Sequence, residues 1–309
     1  MASNLDIVDD ADGFPYEDPK SQGLYLFRVA GLSTTLGYVL PSVSRLLSDF
    51  PGWHVDQEEQ TIVLESGQTV EERSAAIRKT ILAMCEKECF SILRGWRDET
   101  FPVFGPDHEV VLHIERCACP LFGVVTYGVH IIAYTPAPAD GDMMKIWVSR
   151  RARSKQTFGG MLDSTAAGGV ASGETPWNTV LHECDEEASL PPDLVRRDAK
   201  SVGAITNFYV RDQRSGGEVG LLQPECQYVY ELPVPLDLVC KPNDNEVESF
   251  ELLAVSEIMA ALSRREFKPN SGLVMLDFLI RHGVVTSENE KDYLNIITRL
   301  HRPLDFPLR

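Results

Sequence analysis

The residues best suited to chemistry are glutamates clustered between positions 168 and 190. Glu183, Glu186 and Glu187 are spaced i, i+3 and i+4, so on an α-helix they share one face. Like charges at this spacing repel by roughly 0.2–0.5 kcal/mol per exposed pair. Either solvation of an acidic helix or binding of a hard divalent cation, which prefers oxygen ligands, would relieve the repulsion. The spacing alone leaves both interpretations open.

A glycine-rich segment precedes the acidic helix, which we predict over residues 176–188. Pro176 suits the first turn of a helix, and Gly168 and Gly169 let backbone carbonyls and amides approach a ligand closely. Magnesium uses few carboxylates, keeps several waters and bridges substrate phosphates. Such an ion polarises a phosphoryl oxygen and activates water. The glycines together with the acids therefore favour a metal.

The segment from Gly168 to Leu190 resembles the Nudix box, G-x5-E-x7-R-E-U-x-E-E-x-G-U, in which U is apolar. The pattern is long and its gaps are fixed, so it is far more specific than a short glycine motif. Two positions depart from it, because His182 replaces an arginine and Ser189 replaces a glycine. The positions in register are Gly168, Glu174, Glu183, Cys184, Glu186, Glu187 and Leu190.

This resemblance implies roles for individual residues. Glu183 and Glu187 would be metal ligands, with Glu186 a ligand or the catalytic base. Glu174 would support the water shell of the metal, and the carbonyl of Ala167 would face the ion. The implied cofactor is Mg²⁺, with Mn²⁺ as the alternative.

The two departures have different weight. In the family the arginine is understood to hold the following catalytic glutamate in place. His182 can donate a hydrogen bond there but is not a permanent cation, which implies weaker or more pH-dependent activity. Ser189 removes a helix-ending glycine, which changes local geometry more than chemistry.

Residues outside the box complete the predicted site. A Nudix site often recruits one more acid from a later loop, and our candidates are Glu246 and then Glu225, whose alternative role is loop solvation. Basic residues near position 150 could pair with phosphate or solvate a loop. The predicted substrate-binding residues are Arg150, Arg151, Lys155, Gly168 and Gly169.

Two other constellations do not predict a site. His113, Cys117 and Cys119 contain the wrong spacing for zinc and lack a second ligand pair. Ser164 and His130 could be imagined as a nucleophile and its base, but nothing in the sequence fixes a base beside Ser164.

Further stretches resemble one Nudix subfamily that carries an extra N-terminal domain and is associated with thiamine diphosphate metabolism. The resemblance implies hydrolysis of thiamine diphosphate, or preferentially its damaged oxo and oxy analogues, to the monophosphate. One alternative is hydrolysis of another nucleoside or nucleotide-sugar diphosphate. Another is a degenerate, non-catalytic Nudix module that only binds. The stretches are 147–163, 223–230, 241–252 and 267–283.

Composition narrows the class of partner. The net charge of −17 disfavours nucleic acid and anionic membranes, and leaves a small-molecule diphosphate as the expected partner. No apolar run approaches the ~20 residues that span a bilayer. The acidic N-terminus resembles neither a secretory nor a mitochondrial leader, so we expect a cytoplasmic protein. Oligomeric state is not predicted.

Strand-like segments alternate with a helix and then return to strands, which indicates a mixed sheet between helices. The predicted fold class is α/β (α+β), a Nudix α/β/α sandwich with a mixed sheet, preceded by a smaller α/β domain that packs on the catalytic one. We expect strands at 24–29 and 112–116, a helix at 70–89, and a loop at 101–106. The predicted divisions are a flexible N-terminus 1–18, an N-terminal α/β domain 19–120, a Nudix domain 121–285 and a C-terminal extension 286–309.

Overall fold

A computed structural model describes residues 1–136 and 144–309. The helices in the described chain are α1 (Asn4–Ala11), α2 (Pro41–Leu47), α3 (Val70–Glu86), α4 (Cys119–Phe122), α5 (Pro176–Glu186), α6 (Pro192–Asp198), α7 (Val255–Ser263), α8 (Pro269–Arg281) and α9 (Tyr293–Leu300). The strands are β1 (Tyr25–Val29), β2 (Gly37–Val39), β3 (Trp53–Asp56), β4 (Thr61–Leu64), β5 (Thr100–Phe104), β6 (Val110–Glu115), β7 (Thr126–Thr135), β8 (Lys145–Arg151), β9 (Leu162–Asp163), β10 (Ala166–Gly169), β11 (Lys200–Val210), β12 (Leu222–Pro233) and β13 (Val247–Ala254).

The first part of the chain, from β1 through the 3-10 turn at Arg116–Ala118 and including α2 and α3, forms what we call the N-terminal module. Its four-stranded sheet has the order β2-β1-β4-β3, and β5 and β6 make a separate antiparallel pair. Helix α3 begins at a capping box formed by Thr69 and Glu72. It buries Ile77 and Ile81 completely, as their helical spacing predicts.

The expected loop at 101–106 was wrong, because Thr100–Phe104 is a strand paired with β6. Pro102 obscured it, since proline is depleted from strands in general but is accepted in an edge strand. The pair β5-β6 has no further neighbour in the described sheets, so both of its strands are edges.

The larger sheet of the described chain has the order β11-β12-β7-β8-β13, with β10 paired to β7 and β9 to β8. Strands β12 and β7 run parallel while the other pairs are antiparallel. The sheet is therefore mixed, as the sequence predicts.

Helices cover both faces of this sheet. On one face, Val180 and Cys184 of α5 pack in a core with Val129 and Ile131 of β7. On the other, Ile132 joins a core built mainly by α1, α7, α8 and α9. This arrangement confirms the α/β/α sandwich. None of the described helices is long and apolar enough to cross a membrane.

The expectation of a flexible N-terminus was wrong for helix α1. Ser3 caps it through a capping box with Asp6, and Ile7 and Val8 are buried against α8. The acidic residues lie on the exposed side, so net polarity concealed an amphipathic helix. The C-terminal segment secures it, because Arg302 pairs with Asp12 at 3.0 Å.

Candidate active site

Gly168 and Gly169, at the end of β10, are each closely approached by a side chain from another part of the molecule. A Cβ atom on Gly168 would lie 1.7 Å from Oε1 of Glu183, and one on Gly169 would lie 2.5 Å from Cζ of Phe101. Successive residues of a strand face opposite sides. The acid of α5 and the aromatic ring of β5 therefore reach neighbouring backbone positions from opposite faces.

Helix α5 places its acids by ordinary helix rules. Thr175 caps its first turn by accepting a hydrogen bond from the Asn178 amide. Burial of Val180 and Cys184 fixes the rotation of the helix, so Glu183 falls at the edge of the sheet beside Gly168.

Ser189 retains the geometry that the box assigns to glycine. Its φ is 52°, in the left-handed region that follows many helices. Its hydroxyl donates to the carbonyl of Lys241 at 3.0 Å. The substitution thus leaves the turn after α5 in place.

Glu183 and Glu187 form a pair of carboxylates, of which Glu187 is buried and Glu183 is half-buried. Glu187 is 6% exposed, and its Oε2 accepts a hydrogen bond from the Ala167 amide at 2.9 Å. Burial, reinforced by the charge of Glu183, raises the pKa of Glu187 well above its ordinary value. Burial, reinforced by Glu186, likewise raises the pKa of Glu183. Such an uncompensated pair is suited to a cation.

The other two predicted acids of the box differ from this pair in exposure or in hydrogen bonding. Glu186 is exposed and does not line the cavity described below, whereas Oε2 of Glu174 is buried without a hydrogen-bond partner. Within residues 1–136 and 144–309, no three His, Cys, Asp or Glu side chains form a metal-holding group by themselves. Two carboxylates suit magnesium, which completes its shell with water and substrate oxygens.

A cavity of about 420 Å³ opens beside the pair, which lies in the size range of small-molecule sites. It is bounded by β7, β10, β11, β12 and the N-terminal module. Seven lysines or arginines and three glutamates line it. A locally positive cavity in a chain of net charge −17 attracts an anionic ligand.

The predicted substrate residues divide between this cavity and the surface. Arg151 and Lys155 line the cavity, as do Gly168 and Gly169. Arg150 does not line it, because adjacent residues of a strand face opposite ways. It pairs instead with Glu251 at 2.8 Å. The structure thus places Arg150 away from the predicted substrate.

Glu246 lines the cavity but is engaged by two cations. It forms ion pairs with Lys155 and with Arg97, the latter at 3.6 Å. Glu225 also lines the cavity and accepts a hydrogen bond from Gln223 at 2.7 Å. Both acids that we predicted outside the box therefore reach the cavity and already have polar partners there.

The sequence analysis missed a group of amide side chains in the cavity, which we call the amide cluster: Asn207, Gln223, Gln227 and Asn270. Cross-strand pairing sets Asn207 opposite Glu225, so alternate residues of β11 and β12 share the cavity face. Asn207 is fully buried, yet its Oδ1 has no hydrogen-bond partner. The sequence does contain a signal for this cluster, because polar residues occupy alternate positions of these two strands.

The cluster is held by a chain of hydrogen bonds. Arg211 donates to Gln223 at 2.7 Å, and Asn270 donates to Glu225 at 3.4 Å. Gln227 is also buried. These groups can recognise the hydrogen-bonding edge of a ligand while their own orientation is fixed.

The structure does place a base beside Ser164, contrary to the sequence analysis. Nδ1 of His130 lies 2.9 Å from the Ser164 hydroxyl. Ser164 is fully buried and does not line the cavity. Burial also lowers the pKa of His130 to about 3. A buried hydroxyl beside a weakly basic imidazole is a structural contact rather than a nucleophile.

His113, Cys117 and Cys119, whose spacing argues against zinc, do not form a zinc site among the described residues either. The ring of His113 lies 2.7 Å from the hydroxyl of Ser172. Burial raises the pKa of the Cys117 thiol to about 12, which opposes the thiolate form that zinc requires.

A mixed sheet between helical layers, with two neighbouring carboxylates beside a cation-lined cavity, defines an α/β enzyme for an anionic substrate. Comparison with known families agrees with this class. Residues 128–271 match the NUDIX domain, and residues 13–126 match a domain of unknown function, DUF4743.

Proteins similar to this chain include two Nudix hydrolases. A protein of Saccharomyces cerevisiae described as uncharacterized is 35% identical, covering 99% of this chain and 92% of the relative. Nudix hydrolase 20, chloroplastic, of Arabidopsis thaliana is 34% identical over 75% of this chain and 59% of its own length. Nudix hydrolase 24, chloroplastic, of the same plant is 32% identical over 74% and 60%. The chain thus spans about three fifths of each plant protein.

Residues 128–271 of this chain are therefore a Nudix domain, and the similarity to two Nudix hydrolases supports an enzyme of the pyrophosphohydrolase type. The DUF4743 domain precedes its Nudix domain.

Proposed function

We propose that this enzyme hydrolyses the diphosphate bond of thiamine diphosphate or, preferentially, its oxo and oxy analogues, and releases the monophosphate. The observation that carries the proposal is a pair of carboxylates: Glu183 lines the cavity beside Gly168, and buried Glu187 accepts a hydrogen bond from the amide of Ala167, which also lines it. The cavity has more cationic than acidic side chains. That combination supports binding of a metal ion and a polyanion at one place.

The donor set suits magnesium, or manganese in its place. Glu183, Glu187 and the carbonyl of Ala167 would hold the ion, and Glu174, whose Oε2 has no partner in the described chain, would orient its water shell. A bound divalent cation polarises a phosphoryl oxygen and makes water a better nucleophile. Without such an ion the two carboxylates repel each other and the substrate.

Side chains of the protein supply the remaining parts of the proposed reaction. Lys155 lines the cavity and donates to phosphate oxygens, while Glu246 holds its ammonium group in position. Arg151 is fixed by Asp163 at 2.8 Å and adds positive charge to the cavity. Glu186, exposed on α5 beside Glu183, accepts the proton of the attacking water.

The cavity also supports the choice of the organic group. The amide cluster offers donors and acceptors for an aminopyrimidine, and Phe158 and Tyr209 line the same space, where aromatic rings can stack. Lys268 and Arg211 add positive charge. That charge disfavours the cationic thiazolium of thiamine relative to the neutral ring of an oxo analogue, which supports the preference for damaged analogues.

A substrate panel tests the proposal directly. The full chain is incubated with thiamine diphosphate, its oxo and oxy analogues, a nucleoside diphosphate and a nucleotide sugar, with magnesium, with manganese and with chelator. We expect phosphate release that requires metal and is fastest for the neutral thiamine analogues. Faster cleavage of a nucleoside derivative would assign the amide cluster to a nucleobase, and metal-independent release would refute the proposed chemistry.

A further inference from the structure

One wall of the catalytic cavity belongs to the N-terminal module. Ile92, Arg97, Phe101 and Arg116 line the same space as Glu183. Their elements lie outside the α/β/α sandwich. The Nudix domain alone therefore does not enclose the cavity.

Specific contacts fix this wall against the sandwich. Phe101 rests on Gly169 so closely that a Cβ atom there would lie 2.5 Å from its ring. The carboxylate of Glu218 accepts hydrogen bonds from the Ser91 hydroxyl at 2.7 Å and the Ile92 amide at 3.1 Å. These polar and apolar contacts together fix the position of the N-terminal module on the sandwich.

The wall presents two arginines to the cavity. Arg116 pairs with Glu99 at 2.9 Å and lies over the ring of Phe101, whose centroid is 5.5 Å away. Arg97 reaches across the boundary to Glu246 at 3.6 Å. Both side chains are 41% exposed. A guanidinium has five N–H donors, so one carboxylate leaves donors for a second anion.

The positions of these arginines differ from those of the deeper cations. Arg151 is committed to buried Asp163, and burial lowers the pKa of Lys268. Arg97 and Arg116 instead line the cavity from the wall that the N-terminal module provides. Planar guanidinium groups bind phosphate in a bidentate manner.

We propose that the N-terminal module is half of the substrate site, and that Arg97 and Arg116 bind the diphosphate group of the substrate. The inference rests on the proposed function only in taking the substrate to be a diphosphate. It gives the module a role in recognition, so that a phosphate group is held by residues of both domains.

Calorimetric titration of the full chain with inorganic pyrophosphate and magnesium tests the anion site without turnover of an organic substrate. We expect Arg97→Ala and Arg116→Ala each to raise the Kd about 10- to 100-fold, as for loss of a charged hydrogen bond. Arg116→Lys, which keeps the charge but not the planar fork, should fall between. Arg45→Ala, an exposed arginine of α2 that does not line the cavity, is the matched control.

Glu99→Gln separates a binding role from a structural one. It removes the ion-pair partner but keeps Arg116, so pyrophosphate should bind as in the parent. Equal weakening by Glu99→Gln and Arg116→Ala would overturn the inference, as would arginine variants that bind like the parent or a parent that binds no pyrophosphate. Arginine-dependent binding without cleavage of any panel diphosphate would retain the anion site and refute the proposed function.

Discussion

The two ends of the cavity satisfy their polar groups in opposite ways. At the α5 end, Glu187 is buried and Glu183 is half-buried, and nothing nearby fully compensates the repulsion between these like charges. At the sheet end, the amide cluster is neutral, and Arg211 and Glu225 hold several of its members in place. The carboxylates at one end repel each other, whereas the amide groups at the other end are held in position by hydrogen bonds.

This difference assigns distinct roles to the two ends. Groups that remain unsatisfied until a ligand arrives are suited to stabilising charge in the reaction. Groups that are already oriented are suited to selecting a ligand, because a wrong ligand leaves them unpaired. Substitutions at the α5 end should therefore change kcat, and substitutions at the amide cluster should change KM and specificity.

Glu183→Gln should have the largest effect. The change keeps the shape of the side chain and removes one negative charge, so we expect kcat to fall on the order of 10²–10⁴-fold and the unfolding temperature to rise or hold. Steady-state kinetics and thermal unfolding measure the two. Asp185→Asn, an exposed acid of the same helix, is the control. A Glu183→Gln enzyme as active as the parent would break the comparison.

Gly168→Ala should have the second largest effect. The new methyl group would lie 1.7 Å from Oε1 of Glu183, so the carboxylate must move. A displacement of about 1 Å at a catalytic centre can cost about 10²-fold in rate. Kinetics should show the loss mainly in kcat. Gly13→Ala is the control, because its Cβ meets only the Asp9 carbonyl at 3.4 Å; equal losses in both variants would contradict the assigned contact.

Gln227→Ala tests the other end and should have a smaller effect. Loss of one ligand hydrogen bond should raise KM about tenfold while kcat changes little. The increase should be confined to substrates whose ring offers a hydrogen-bonding edge, which competition between two panel substrates would measure. Gln68→Ala in the N-terminal module is the control. A uniform fall in kcat for every substrate would show that the amide cluster acts on the chemistry instead.

Sequence was most informative where the interactions are local. The spacing of Glu183 and Glu187 predicts a shared helical face, and the structure places both side chains together. Gly168 could be recognised by its fixed distance from Glu174 within the box. The apolar repeat at Ile77 and Ile81 identifies α3. Each of these inferences depends on one helix or one short segment, in which spacing determines geometry.

Contacts between distant segments could not be predicted in this way. Arg97 and Arg116 reach the cavity only because the N-terminal module docks on Gly169 and Glu218, and no local pattern specifies that docking. No local pattern brings Asn207 and Gln227 together, because their positions on one face depend on the register in which β11 and β12 pair. The burial of α1 similarly depends on α8 and on the C-terminal segment.

His182→Arg should have the smallest effect. This variant tests whether residue 182 helps to hold Glu183 in place. His182 is exposed, and the structure records no hydrogen bond from its ring among the described residues. Restoring arginine should therefore change kcat less than about threefold, within the range of surface substitutions, and the rate profile across neutral pH should keep its shape. A gain of tenfold or more, or a flattened profile, would show that residue 182 does hold Glu183. In that case His182 would limit how firmly Glu183 is held in this chain.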